Sequence, residues 1–299
     1  MKVLITGSTG FLGRHLTKHI KKLGWDIFES NTKAANLMCD KNLHIYNDVK
    51  FDYIFHLAAH TKAGDYCLYH KGEQFEINQR INSNILKYWN DKQPQAKMIA
   101  MGTSCSYSPD LPMTEANYLK GEPDEGLYTY AMTKRMLLVG LKSYAEQYGL
   151  KWLYFIPSTL YGPNFEEWDN HFIFDFIKNC YQAKHNNKKF IVWGDGTARR
   201  ELIYVADACN IMMKLLGQNN EMFNLGAGKD YSINEFAGHV CEAFYYNVDL
   251  IEHDLSKYVG VKSKLLDISK TFDLGSLRPL SEGLEKTINW YNEKNNYTK

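Results

Sequence analysis

Residues 2–13, KVLITGSTGFLG, limit what this chain can fold into more than any other stretch. Val3, Leu4 and Ile5 make a short apolar strand, and glycines follow at 7, 10 and 13. From Phe11 the apolar positions Leu12, Leu16, Ile20 and Leu23 recur at helical spacing until Gly24 stops them. The expected local structure is strand, tight turn, helix. A turn of this kind brings backbone N–H groups and a helix N-terminus up to a pyrophosphate, because glycine has no Cβ to hold the ligand away. The spacing is G-x-x-G-x-x-G rather than G-x-G-x-x-G, so the motif alone leaves a plain turn open. Its position ahead of further strand and helix patterns favours the binding reading.

Those patterns alternate through the first half. A second strand is expected over 26–28, ending at the polar cluster Ser30, Asn31, Thr32, and a buried strand over 51–59. A helix over 74–88 carries Phe75, Ile77, Ile81, Ile85 and Leu86, and a strand over 96–102 runs into Thr103, Ser104 and Cys105. After a polar loop, a long helix over 128–148 ends at Gly149, and a strand over 152–156 ends at Pro157. This order predicts an α/β fold with a doubly wound parallel sheet and a ligand at the carboxyl ends of its strands. Beyond residue 160 the expected pieces are helices over 172–183, 207–216 (with Asp207 as cap), 232–244 (Ser232-x-x-Glu235 as capping box) and 281–292, plus a strand over 190–193. These make a second, smaller α/β lobe. The expected division is 1–162 for a dinucleotide-binding domain and 163–299 for a substrate domain, with the segment near 198–220 returning to the first.

Composition narrows the partners. With 35 basic and 34 acidic residues the net charge is +1, which gives no electrostatic case for nucleic acid or an anionic membrane. The six cysteines form no C-x-x-C pair or framework, and the apolar runs are short, so a reducing, cytoplasmic setting is expected, with no metal centre. Met136, Leu137, Val139, Leu141 and Tyr144 put apolar groups on more than one side of the 128–148 helix, which predicts a homodimer.

The chemistry is carried by Thr103, Tyr130 and Lys134. Tyr130 and Lys134 lie one helical turn apart (YAMTK), and a tyrosine with a pKa of about 10 works near neutrality only when a nearby cation steadies its phenolate. Thr103, at a strand end, can hold a substrate oxygen. A chance Y-x-x-x-K is common in helices; its union with the glycine turn and a strand-end hydroxyl is not.

On these features, and on HLAA at 56–59, Asn78 with Asn84-Ile85-Leu86, TSCSYS at 103–108, PSTLYGP at 157–163, WGDGTARRELIYVAD at 193–207, NLGAG at 224–228 and KLLDISKTFDLG at 264–275, the chain resembles the extended short-chain dehydrogenase/reductase family. Within it the likeness is greatest to the GDP-L-fucose synthase group. The resemblance spans essentially the whole chain and implies a two-lobed enzyme holding NAD(P)H and a nucleoside-diphosphate sugar. It implies Thr103, Tyr130 and Lys134 as catalytic residues, with Cys105 and His171 as an acid/base couple that inverts carbons beside a 4-keto group. Thiol and imidazole, with ordinary pKa values of about 8.5 and 6.5, suit that work. Ser104-Cys105 stands where 4,6-dehydratases carry Asp-Glu, which argues against elimination of water.

For the cofactor the resemblance implies Gly7, Thr9, Gly10, Phe11, Leu12 and Gly13 in the turn and Asn31, Lys33, Asn36 and Leu37 beyond the second strand. It adds Leu57, Ala58, Ala59, Met101 and Lys134 in the middle of the sheet, and Pro157, Thr159 and Leu160 at the fifth strand. For the substrate it implies Ser104, Asn164, Lys178, Trp193, Arg200 and Asp267. Two departures stand out: Thr159 replaces the family asparagine, and Lys178-Asn179 replaces a basic pair. The expected function is an NADPH-dependent reductase of a nucleotide-linked, GDP-linked 4-keto-6-deoxy sugar for a surface glycan, with or without 3,5-epimerisation; the alternative is an NAD-retaining 4-epimerase. A non-catalytic dinucleotide sensor would be expected to erode Thr103, Tyr130 or Lys134, and all three are present. NADPH is preferred over NAD because Asn31, 18 residues beyond Gly13, is neutral and adjoins Lys33, with Glu29 as the opposing consideration.

Overall fold

The computed structural model describes residues 1–62, 65–169, 171–257 and 259–295. Its first half alternates strand and helix: β1 (Lys2–Thr6), α1 (Phe11–Lys21), β2 (Asp26–Ser30), β3 (Tyr53–His56), α2 (Asp65–Tyr69), α3 (Lys71–Lys92), β4 (Lys97–Met101), α4 (Tyr128–Tyr148) and β5 (Trp152–Pro157). The second half comprises β6 (Thr159–Tyr161), α5 (Phe172–Asn186), β7 (Phe190–Trp193), β8 (Arg199–Tyr204), α6 (Val205–Lys214), β9 (Glu221–Leu225), β10 (Asp230–Ser232), α7 (Ile233–Phe244), β11 (Ile251–Asp254) and α8 (Leu280–Lys294).

Six strands form one parallel sheet in the order β2-β1-β3-β4-β5-β9. Both faces are covered, which is why β1, β4 and β5 are apolar at consecutive positions rather than alternate ones. The two-residue period of a strand then divides each run between two cores. Val3, Ile5, Ile99, Leu153 and Phe155 face α1 and α6; Leu4, Ile54, Met98, Tyr154 and Ile156 face α3 and α4. Each such side chain, fully buried, contributes about 1.5–3 kcal/mol. The chain reverses direction across the sheet between β1 and β3, opening a crevice at their carboxyl ends.

The remaining strands form the sheets β10-β8-β6 and β11-β7, which with α5, α7 and α8 enclose a separate core built on Phe165, Phe174, Phe190 and Phe236. The capping box at Ser232 forms as expected: Ser232 Oγ accepts from the Glu235 amide at 3.1 Å, and Glu235 Oε2 accepts from the Ser232 amide at 2.6 Å. Asp207 does not cap α6. The helix begins two residues earlier, so Asp207 lies in its first turn and accepts from the Arg278 amide at 2.8 Å. The second strand runs to Ser30 rather than stopping at residue 28, because Lys2–Thr6 offers it a full register of partners. Sequence pattern did not reveal β8 and β9, two strands whose pairing is entirely non-local.

Candidate active site

The turn after β1 is shaped by backbone contacts. Gly7 donates to the Ser30 carbonyl at 2.8 Å and has φ +70, where a side chain is strained. A Cβ there would also stand 2.7 Å from the Ala58 nitrogen, and one on Gly13 only 2.1 Å from the Gly7 carbonyl oxygen. Leu57 and Ala58 thereby lie against the turn. The first turn of α1 carries no acidic residue, and Gly10 supplies no side-chain cap, so its N-terminal N–H groups suit an anion. Arg14 straps this turn to the other lobe, donating to the carbonyls of Thr9 at 2.5 Å and Asn164 at 2.8 Å and pairing with Asp169 at 2.5 Å. Phe11 turns the same way, edge-on to Phe174 at 5.1 Å, and Leu12 packs with the α1-side core.

Beyond β2, Asn31 folds its side chain onto its own loop, with Oδ1 accepting from the amides of Lys33 at 3.0 Å and Ala34 at 3.1 Å. Glu29 is an exposed residue inside the strand and not at its end. Asn36 makes a similar turn, accepting from the Met38 amide at 3.0 Å. Leu37 is buried in the core, and its carbonyl receives Asn84 at 2.7 Å.

At the end of β4, Lys134 reaches back from α4 to donate to the Met101 carbonyl at 2.9 Å, two residues before Thr103. Burial holds this ammonium down to about 8. Tyr130 lies one turn earlier on α4, with its hydroxyl bonded to Thr61 and Cys105 nearby. Burial pushes the phenol well above its ordinary value, against the Thr61 hydrogen bond, and keeps it protonated. Thr103 Oγ1 accepts from the Cys105 amide at 3.3 Å, capping the short turn Ser104–Ser106.

Cys105, expected to act with His171 on the substrate, lies in the short turn after β4. Its sulfur takes a hydrogen bond from Lys264 at 3.3 Å, while His171 stands exposed at the start of α5, its ring 6.2 Å from Phe174. Burial pushes the thiol up, but Lys264, Thr103 and Arg200 together outweigh it, and the net shift is downward. Of the expected substrate residues, Asn164, Lys178, Trp193 and Arg200 lie on the second lobe, whereas Asp267 stands between Leu266 and Ile268, which pack into the core of the sheet lobe. Asn164 is left-handed at φ 62; Lys178 pairs with Asp175 on its own helix at 2.9 Å; Trp193 is 45% exposed beneath the Lys257 ammonium, 5.3 Å from its ring. Arg200 donates to the carbonyls of Val259 at 2.7 Å and Val261 at 2.8 Å, and Asp267 accepts from the Ser269 amide at 2.9 Å. Pro157 ends β5, and the half-buried Thr159 and Leu160 pair with β8.

Residues 3–226 match the NAD dependent epimerase/dehydratase family. The chain belongs to this family. It is 29% identical over 311 residues to the GDP-L-colitose synthase of Yersinia pseudotuberculosis, covering 99% of this chain and 100% of that one. It is 27% identical over 315 residues to the GDP-L-fucose synthase of Escherichia coli (strain K12), covering 98% and 97%. Among solved structures, a GDP-L-fucose synthetase from Naegleria fowleri bound to NADP superposes with a TM-score of 0.86 at 24% identity, over 99% of this chain and 93% of that one. The last likeness bears on the fold.

Family motifs did not announce every residue that shapes this site. His56, in the HLAA block, is a buried link between strands and helices. The Ala58 amide donates to Thr6 Oγ1 at 3.3 Å, Thr6 meets His56 Nδ1 at 2.9 Å, and His56 Nε2 meets Asn82 Oδ1 at 3.2 Å. Asn82 Nδ2 then donates to the Thr133 carbonyl at 3.4 Å, so the neutral ring carries its proton on Nε2. Glu201 is the counterpart in the second lobe: its carboxylate receives the amides of Gly228 at 2.7 Å and Leu266 at 3.0 Å, holding the segment that carries Lys264. Both lie within family blocks, yet only the fold reveals their partners.

Proposed function

We propose that this member of the epimerase/dehydratase family is an NADPH-dependent reductase of a GDP-linked 4-keto-6-deoxy sugar. The observation that supports the reading is the hydrogen bond from Lys134, one helical turn beyond Tyr130, to the Met101 carbonyl at 2.9 Å, two residues before Thr103. The relatives named for GDP-L-colitose and GDP-L-fucose synthesis supply the sugar class.

The turn of Gly7 to Gly13 fits a dinucleotide, since a Cβ at either end would collide with backbone. NADPH, with NAD as the alternative, would be held by that turn, by Leu57 to Ala59 and by the loop at Asn31, where no carboxylate opposes a 2′-phosphate. Bound there, it supplies the hydride for carbon 4. The protein's part is to manage the proton. Thr103 orients the 4-oxygen, the Tyr130 phenol gives it a proton, and the Lys134 ammonium steadies the resulting phenolate. Arg200, Trp193, Lys178, Asn164, Ser104 and Asp267 form the nucleotide-sugar side. Where carbons beside the ketone are inverted, Cys105 as thiolate removes a proton and Lys264 holds the negative sulfur; His171 reaches the sugar from the start of α5. A helix-to-helix homodimer through α3 and α4 completes the molecule, supported by the exposed Met136 and Val139 on the side of α4 opposite the buried Leu137 and Leu141. The dinucleotide lobe is the six-stranded sheet with α6 and β9, and the substrate lobe is built on the three-stranded sheet. The enzyme works in the cytoplasm on a surface-glycan precursor; no helix among the described residues is long and apolar enough to cross a membrane.

Purified protein mixed with GDP-4-keto-6-deoxymannose and NADPH tests the reading. Stoichiometric NADPH oxidation with a reduced GDP-sugar as product is expected. Failure with a panel of 4-keto sugars, together with interconversion of 4-epimers without net cofactor oxidation, would assign an NAD-retaining epimerase instead.

A further inference from the structure

Two fully buried tyrosines lie directly behind the proposed proton-handling residues, on the face of the sheet that α4 covers. Tyr118 closes the short turn Glu115–Asn117, and Tyr154 lies in the middle of β5; both are 0% exposed, and their rings meet edge-on with centroids 5.6 Å apart. Packing alone asks only for two phenylalanines there, because a buried hydroxyl costs stability unless it is hydrogen-bonded. Both hydroxyls are used. Tyr154 Oη donates to the Lys134 carbonyl at 2.7 Å, Tyr118 Oη meets Tyr154 Oη at 3.0 Å, and the Thr103 amide donates to Tyr118 Oη at 3.4 Å. Since Tyr154 spends its proton on Lys134, Tyr118 must donate to Tyr154 and accept from Thr103.

The chain of bonds closes on itself. Lys134 returns through its side chain to the Met101 carbonyl at 2.9 Å, and Gly102 joins Met101 to Thr103. A Cβ on Gly102 would stand 2.6 Å from the Tyr154 ring and 2.7 Å from Tyr118 Oη, so the closure requires glycine at that position. The Lys134 carbonyl is inside α4, where the amide four residues on already serves it. Tyr154 therefore satisfies no orphan group; its bond ties a particular helical turn to the strand end.

We propose that Tyr118 and Tyr154 are positioning residues of this active site, a phenol pair that locks the Thr103 backbone to the turn of α4 bearing Tyr130 and Lys134. The proposal rests on the assignment of those three residues to the reduction. Neither phenol touches substrate or cofactor; each acts by holding the distance between the oxygen-binding hydroxyl and the proton donor, on which a transfer in a fixed geometry depends.

The test uses Tyr118→Phe, Tyr154→Phe, the double variant and Tyr130→Phe, with GDP-4-keto-6-deoxymannose and NADPH. Each phenylalanine keeps the ring and removes one link, and kcat is expected to fall about tenfold, the size of one hydrogen bond, with both KM values within about twofold. The double variant should lose far less than the product of the single losses, since both break one chain. Independently of turnover, hydrogen exchange of the Thr103 amide in the NADPH-loaded protein should quicken about tenfold in Tyr118→Phe. If Tyr154→Phe does not fold, Tyr118→Phe decides by the same two readings. Wild-type kcat in the single variants, or unchanged Thr103 exchange in Tyr118→Phe, overturns the proposal. Full activity in Tyr130→Phe would instead overturn the assignment on which it rests.

Discussion

Cys105 is set apart from the other cysteines by what surrounds its sulfur. Lys264 at 3.3 Å, with Thr103 and Arg200, outweighs the burial that would raise the thiol. Alkylation followed by peptide mass spectrometry should find Cys105 reacting at lower pH than a free thiol, and Lys264→Met should move its profile upward. Coincident Cys105 profiles in the wild type and Lys264→Met would remove Lys264 from this role. Lys134 gives a second reading at this scale. Burial brings its ammonium down to about 8, so the charge proposed to steady the Tyr130 phenolate is present below that pH and lost above it. The pH profile of kcat/KM for ketone reduction should therefore fall as pH rises through about 8, and Lys134→Arg, which cannot deprotonate, should lack that limb. A flat alkaline profile in the wild type would contradict it.

Among elements, the link from β1 through β3 to α3 and α4 makes the sheet sensitive to acid. Burial pushes His56 down to about 4 from its ordinary 6.5, while its bond to Asn82 acts the other way. A depressed pKa contributes stability that is fully present above the unfolded value and lost as pH falls through the folded one. Between pH 6.5 and 4 the loss at this site amounts to roughly 3 kcal/mol. Urea midpoints measured across that range should fall in the wild type and fall less in His56→Gln; equal slopes would show that the ring is not the titrating group. Elements also explain what sequence reading reached. The glycine turn, the strand into Thr103 and the YAMTK helix are local patterns, readable from spacing. β8 opens on Arg199, Arg200 and Glu201 and β9 on Glu221, so neither shows a clean apolar period, and each gains its partners from distant strands. Cys105 and Lys264 are 159 residues apart, and the tyrosine pair joins a loop to a strand; such contacts exist only after folding. The roles of Cys105 and His171 rest on resemblance alone, and the Lys264 contact at the sulfur is visible only in the fold.

At the scale of the molecule, the sheet crevice and the second lobe meet where Arg14 joins the glycine turn to Asp169. The outer side of α4 stays apolar at Met136 and Val139, 46% and 38% exposed. Light scattering at micromolar concentration should give twice the mass of the chain, and Met136→Glu with Val139→Glu should give the monomer. A wild-type monomer would refute the dimer without touching the chemistry. The chemistry itself is tested most directly by following the label from 4-deuterated NADPH during a single turnover with GDP-4-keto-6-deoxymannose. Deuterium is expected at carbon 4 of the product in the wild type, with a rate lower by about 10²–10⁴-fold in Tyr130→Phe with NADPH still bound. Product without deuterium at that carbon, or an undiminished rate in Tyr130→Phe, would contradict it.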